Sequence, residues 1–241
     1  MDVKSVYSDF ISELNEVVNS REFVPFAGKW FVPNGRLHLL YDTTGIEPAR
    51  NLWAHIVPTG EDPTRKVTQH LYKIDGGRVY CHRILEAQQL PKPAHGLQET
   101  EFNDDKKIVD MVIQAVPDDP GIEPDPTLEG TELAKTMHEF EEDFNQYFDD
   151  GDADHVMPWC DPNVHIHIEH EFEGMATMSH LARFVPGLKF EIQEWQQAEN
   201  GNGTAVVQYS APDGFTVNSI TNVELTQEGT MARWQIIPQM G

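Results

Sequence analysis

A stretch of sixteen residues that occurs twice constrains this chain more than any other feature. The first copy runs from Trp30 to Gly45 and the second from Trp159 to Gly174. Laid together without a gap they share Trp30/Trp159, Pro33/Pro162, Asn34/Asn163, His38/His167 and Gly45/Gly174, and Asp42 falls opposite Glu171. The matches continue: Ala54 to Pro58 mirrors Ala182 to Pro186 with one residue of slippage, and Gly77, Val79, Ile84 and Leu85 answer Gly229, Met231, Ile236 and Ile237. Three blocks in the same order imply an internal duplication. Its period of 129 residues is too long for a solenoid repeat and suits a small domain.

The 241 residues are therefore expected to hold two domains, 1–116 and 131–241, joined by an acidic, proline-rich linker over 117–130. The motif glycine and the hairpin glycine are 32 residues apart in the first half and 55 in the second, taking Gly45 to Gly77 and Gly174 to Gly229. On that spacing the first domain is truncated, or rearranged so that 97–116 supplies its strands out of order. Charge separates the halves as well. Residues 1–116 carry 13 Lys/Arg against 16 Asp/Glu, residues 117–241 carry 4 against 24, and the whole chain stands at −23. Nucleic acid and anionic membranes require positive surfaces, so neither is an expected partner. Two cysteines without a CxxC, Cys81 and Cys160, suit a reducing cytoplasm. The acidic opening Met1–Ser20 does not read as a signal peptide, and no run approaches the length of a membrane span.

Val3, Tyr7, Phe10, Ile11, Leu14, Val17 and Val18 recur at helical spacing and predict an amphipathic first helix. Leu133, Met137, Phe140, Phe144 and Tyr147 predict its counterpart, capped by Thr131 and stopped at Gly151. Alternation predicts strands at Leu37–Tyr41 and Val164–Ile168, and Asp75-Gly76-Gly77 marks a hairpin between 67–74 and 79–85. Residues 48–56 and 175–184 read as helices. Residues 97–116 read either as a hairpin turning at Asn103-Asp104-Asp105 or as a helix from Asp105 onward. Four strands complete the second half, at 188–195, 204–210, 215–225 and 230–237.

The run from Asp161-Pro162-Asn163 through Phe172-Glu173-Gly174 to Phe184, and from Pro33-Asn34 through Gly45 to Ile56, resembles the NTF2-like superfamily (SnoaL-like, ketosteroid-isomerase-like). That resemblance covers nearly all of the second half and about two thirds of the first. It implies an α+β fold: two NTF2-like cones, helices packed on a strongly curved sheet, forming a pseudo-dimer within one chain. It also implies a cavity on the apolar strand face, where the equivalent residues Tyr41 and His170 would project.

The expected activity is cofactor-independent acid/base chemistry, as a lyase, isomerase, dehydratase or cyclase, on a hydrophobic aromatic or polycyclic molecule. The alternative is a non-catalytic small-molecule-binding or assembly module of the same family, because this fold hosts many roles. The catalytic candidates are His170 as base, with Tyr41, Tyr209 and Asn218 as donors to a developing oxyanion. Trp195, Trp234, Asn222, Tyr147, His70 and His82 are the candidates to line the substrate cavity. Asp143 reads as a solvated helix charge. His165, His167 and Glu169 share a strand face that could ligate a metal, but their repeat counterparts Arg36, His38 and Leu40 could not. No cofactor and no metal is expected, and a homodimer is allowed. No P-loop, GxGxxG or GxSxG is present.

Overall fold

The computed structural model describes residues 2–56, 66–86, 93–116, 118–174, 181, 187–197, 202–212 and 214–240. The expected helix over 175–184 and the block Ala182–Pro186 lie almost wholly outside them. Helix α1 (Val3–Ser20) buries the seven apolar residues that predicted it, and Asp2 caps it by accepting from the backbone N–H groups of Lys4 and Ser5. Helix α4 (Glu132–Asp150) begins at Thr131, whose hydroxyl accepts from the Ala134 N–H, and ends at Gly151 in the left-handed region. The two helices repeat at a spacing of 130: Phe10 and Phe140, Leu14 and Phe144, Asn15 and Asn145, and the left-handed C-caps Arg21 and Gly151. Helices α2 (Phe23–Trp30) and α3 (Ile46–Ile56) flank strand β1 (Phe31–Thr44).

The other strands are β2 (Lys66–Asp75), β3 (Arg78–Glu86), β4 (Ala94–Phe102), β5 (Ile108–Val116), β6 (Cys160–Glu173), β7 (Lys189–Gln197), β8 (Asn202–Ser210), β9 (Thr216–Leu225) and β10 (Met231–Gln239). They form one ten-stranded mixed sheet in the order β2-β3-β4-β5-β6-β1-β10-β9-β8-β7. This overturns the expectation of two α+β cones, each built by its own half of the chain. The chain instead divides into a first compact unit, residues 1–40 with 171–239, and a second, residues 41–170 with the last two residues. Each unit takes its long helix from one sequence half and its four-stranded meander from the other. The two motif strands carry the same alternating pattern, so periodicity alone does not specify which meander either one joins.

In the first unit the antiparallel strands β7 to β10 continue into β1 by a parallel pairing, with Leu37 opposite Trp234 and Leu39 opposite Ile236. Helix α1 packs over β7, and the Asn15 amide clamps that edge strand. It donates to the Phe190 carbonyl at 2.9 Å and accepts from the Phe190 N–H at 2.7 Å. In the second unit β2 to β5 continue into β6 in parallel, with Met111 opposite Ile166 and Ile113 opposite Ile168. Helix α4 packs over β2, and Asn145 repeats the clamp on Val67 at 3.0 and 2.8 Å.

The motif glycines also act alike. The Gly45 N–H donates to the Val164 carbonyl, and the Gly174 N–H donates to that of Gly35, the repeat counterpart of Val164. Both glycines have positive φ, 101° and 58°, which a side chain would strain. Residues 94–116 form the hairpin β4–β5, so the first half has as many meander strands as the second. The Gly77 turn is thus the first hairpin of its meander, whereas Gly229 closes the last.

Candidate functional site

Strand parity in the second unit separates an inner face from an outer one. Val67, Gln69, Leu71, Val79, Cys81, Arg83, Gln98, Thr100, Met111 and Ile113 are buried on the face under α4. That interior mixes apolar and polar side chains. Arg83 lies 4.4 Å from the Phe144 ring centroid and donates to Gln98 Oε1, and burial lowers its pKa to about 10. Burial pushes the Cys81 thiol up to about 12, which makes it a poor nucleophile. Tyr147 is buried and donates to the Trp53 carbonyl at 2.5 Å. A cavity of about 300 Å³ lies elsewhere in this unit, lined by Ile46, Arg50, Asp154, Met157 and Pro158.

The outer face carries two sets of titratable side chains in mutual contact. His165 stands between two carboxylates: its Nδ1 is 2.7 Å from Asp110 and its Nε2 is 3.0 Å from Asp42. Asp110 is held in turn by Arg78 at 2.9 Å, and Arg78 also donates to Glu99 and Glu101. The far oxygen of Asp42 lies 3.4 Å from His167 Nδ1. The hydrogen bond to Asp110, and then that to Asp42, hold the His165 pKa above the ordinary histidine value, outweighing partial burial, which pulls the other way.

At the other end of the same face His82 Nε2 meets His95 Nδ1 at 3.0 Å, with Asp119 close by and the His70 ring 6.2 Å from the His82 ring. Burial, and then the neighbouring His95, lower the His82 pKa. In the first unit the repeat equivalents of the His165 network carry other chemistry. Glu171, at the position of Asp42, faces Arg36 and Arg233. His38 Nδ1 lies 2.7 Å from an Arg233 guanidinium nitrogen and 2.8 Å from the Gln235 amide nitrogen.

The residues singled out from sequence do not converge. Tyr41 and His170 fall in the second unit, Tyr209 and Asn218 in the first. Tyr41 is buried, which pushes its pKa up to about 12, and His170 is half-buried at the end of β6. Within the first unit Tyr209 faces inward against Phe190, while Asn218 is exposed on the opposite face beside Gln208, so the two do not share a site. Trp195 and Trp234 are brought together, but by the core. Tyr7 packs on Trp195 and accepts from the Trp234 indole N–H at 3.0 Å, and its hydroxyl meets that of Thr221. Asn222 is spent on Thr204 and Gln235 on the outer face. His70 and His82 likewise take the outer parity, away from α4, and Asp143 accepts from the Trp159 indole N–H at 2.7 Å.

Sequence reasoning missed Asp42, Asp110, His95 and Asp119 as functional groups. Only Asp110 offered a signal, as a charge interrupting the apolar run Ile108 to Ile113. Comparison with protein-family models and with curated proteins finds no match for the chain.

Proposed function

We propose that the protein carries out acid/base chemistry on a small aromatic molecule with oxygen substituents, and that His165 is the group that moves the proton. The observation that carries this reading is the Asp110–His165–Asp42 arrangement. Asp110, fixed by Arg78, orients the ring through Nδ1. Nε2 points to Asp42, whose side chain is 54% exposed and free to yield its place to a substrate oxygen. A histidine oriented by one carboxylate with its other nitrogen toward the reacting atoms is the usual form of a positioned acid/base group. Asp110 and Asp42 both favour the imidazolium, the form that can give its Nε2 proton to a substrate oxygen and recover it later. A second reading, a binding or assembly module, draws on the first unit, where Tyr7, Phe10 and Trp234 fill the interior.

The test is a screen against phenols and aromatic ketones, followed by turnover of wild type, His165→Gln and His170→Gln on any hit. A positioned acid/base group is worth about a hundredfold or more in rate. His165→Gln should lose that much while His170→Gln stays within a few-fold of wild type. Wild-type turnover by His165→Gln would remove the assignment and leave the binding module.

A further inference from the structure

Beyond that reading, we propose that His82, His95 and Asp119 form a binding site for a divalent first-row transition metal ion. Their three donor atoms, one from each side chain, lie within 4.8 Å of one another. Ligands at about 2.0–2.1 Å from a four-coordinate ion sit roughly 3.4 Å apart, so small side-chain rotations bring this set into register. The sheet supplies the rigidity. His82 is opposite Leu97 and His95 opposite Ile84 in the antiparallel β3–β4 pair, which sets the imidazoles diagonally on one face. Their rings stack with centroids 5.2 Å apart. His82 is only 3% exposed, so its position is fixed by packing, whereas Asp119 comes from the exposed segment after β5 and can adjust.

That segment is itself anchored, since the Asp125 N–H donates to the Leu71 carbonyl of β2 at 2.8 Å. The His82–His95 hydrogen bond requires one imidazole to donate to the other. An ion would replace that single bond with two coordinate bonds, each imidazole presenting a lone pair. Two imidazole nitrogens and one carboxylate suit Zn²⁺, Co²⁺ or Fe²⁺ and leave at least one coordination position for water. The His70 ring, near-perpendicular to that of His82 with centroids 6.2 Å apart, can serve as an outer hydrogen-bond partner or a fourth ligand.

The experiment is calorimetric titration of the full-length protein with Zn²⁺, together with visible absorption of the Co²⁺ form. Wild type should bind one equivalent tightly, and Co²⁺ should give the intense bands of a low-coordinate nitrogen/oxygen site. Asp119→Asn and His95→Gln, both at accessible positions, should each weaken Zn²⁺ binding by about tenfold or more. His165→Gln should bind as wild type does. Circular dichroism of each variant confirms that it is folded, and the exposed position of Asp119 keeps the test valid should His82→Gln fail to fold. Absence of a tight equivalent in wild type would overturn the proposal, as would equal affinity in Asp119→Asn and His95→Gln.

Discussion

His165 shows how a residue's neighbours decide its chemistry. The repeat counterpart of His165 is Arg36, and that of Asp42 is Glu171, so the same strand positions hold an imidazole between carboxylates in one unit and guanidinium groups around a carboxylate in the other. A histidine whose folded pKa lies above its ordinary 6.5 binds its proton more tightly when folded. Its contribution to stability is complete below pH 6.5 and is lost as pH rises through the raised folded value. Urea midpoints measured from pH 6 to pH 9 should therefore fall more in wild type than in His165→Gln. His138 and His155 also have raised values and act on the same limb, so the difference between the two proteins is the informative quantity. Parallel curves would show that the two carboxylates do not hold the imidazolium. The parity argument from sequence placed Val164, Ile166 and Ile168 correctly on the buried face. It set His165 aside because the carboxylates that define its role, Asp42 and Asp110, come from other strands.

Local pattern revealed the elements better than their partnerships. Helices α1 and α4 and the Asp75–Gly77 turn were legible because apolar spacing, caps and turn glycines are local. Strand β4 is ambiguous in sequence: of the two readings of 97–116 the hairpin turning at Asn103-Asp104-Asp105 is the one the structure bears out, and the helix stays open because the inward positions Gly96, Gln98 and Thr100 are buried yet break the apolar alternation a strand normally shows. With 97–116 open between hairpin and helix, the spacing pairs the Gly77 hairpin with the Gly229 hairpin, and the first half reads one hairpin short. The repeat that the helices share is clearest in their asparagines. Asn15 and Asn145 each satisfy both backbone groups of an edge-strand residue. Replacing either with Ala leaves a part-buried N–H and C=O without that partner, at about 1–3 kcal/mol. Chemical denaturation should show comparable losses for Asn15→Ala and Asn145→Ala. A loss below about 0.5 kcal/mol in either, the size of an ordinary surface change, would show that the clamp is incidental.

At the scale of the whole molecule, the duplication is written in sequence and the exchange of segments is not. Both copies of the motif strand carry the same alternating pattern, and only the folded chain shows that residues 1–40 join 171–239. The contacting titratable groups accordingly lie on the outer face of the unit built from residues 41–170, not in the interior of the second sequence half. No helix among the described residues is long and apolar enough to cross a membrane. On that face Asp110 and Asp42 orient the His165 imidazole and favour its protonated form. Side-chain ¹H–¹⁵N correlation spectra of the histidines from pH 5 to 9 test it without any substrate. The resonance missing from His165→Gln should titrate above 6.5, and Asp110→Asn should pull it down. Titration at or below 6.5, or no response to Asp110→Asn, would contradict the account.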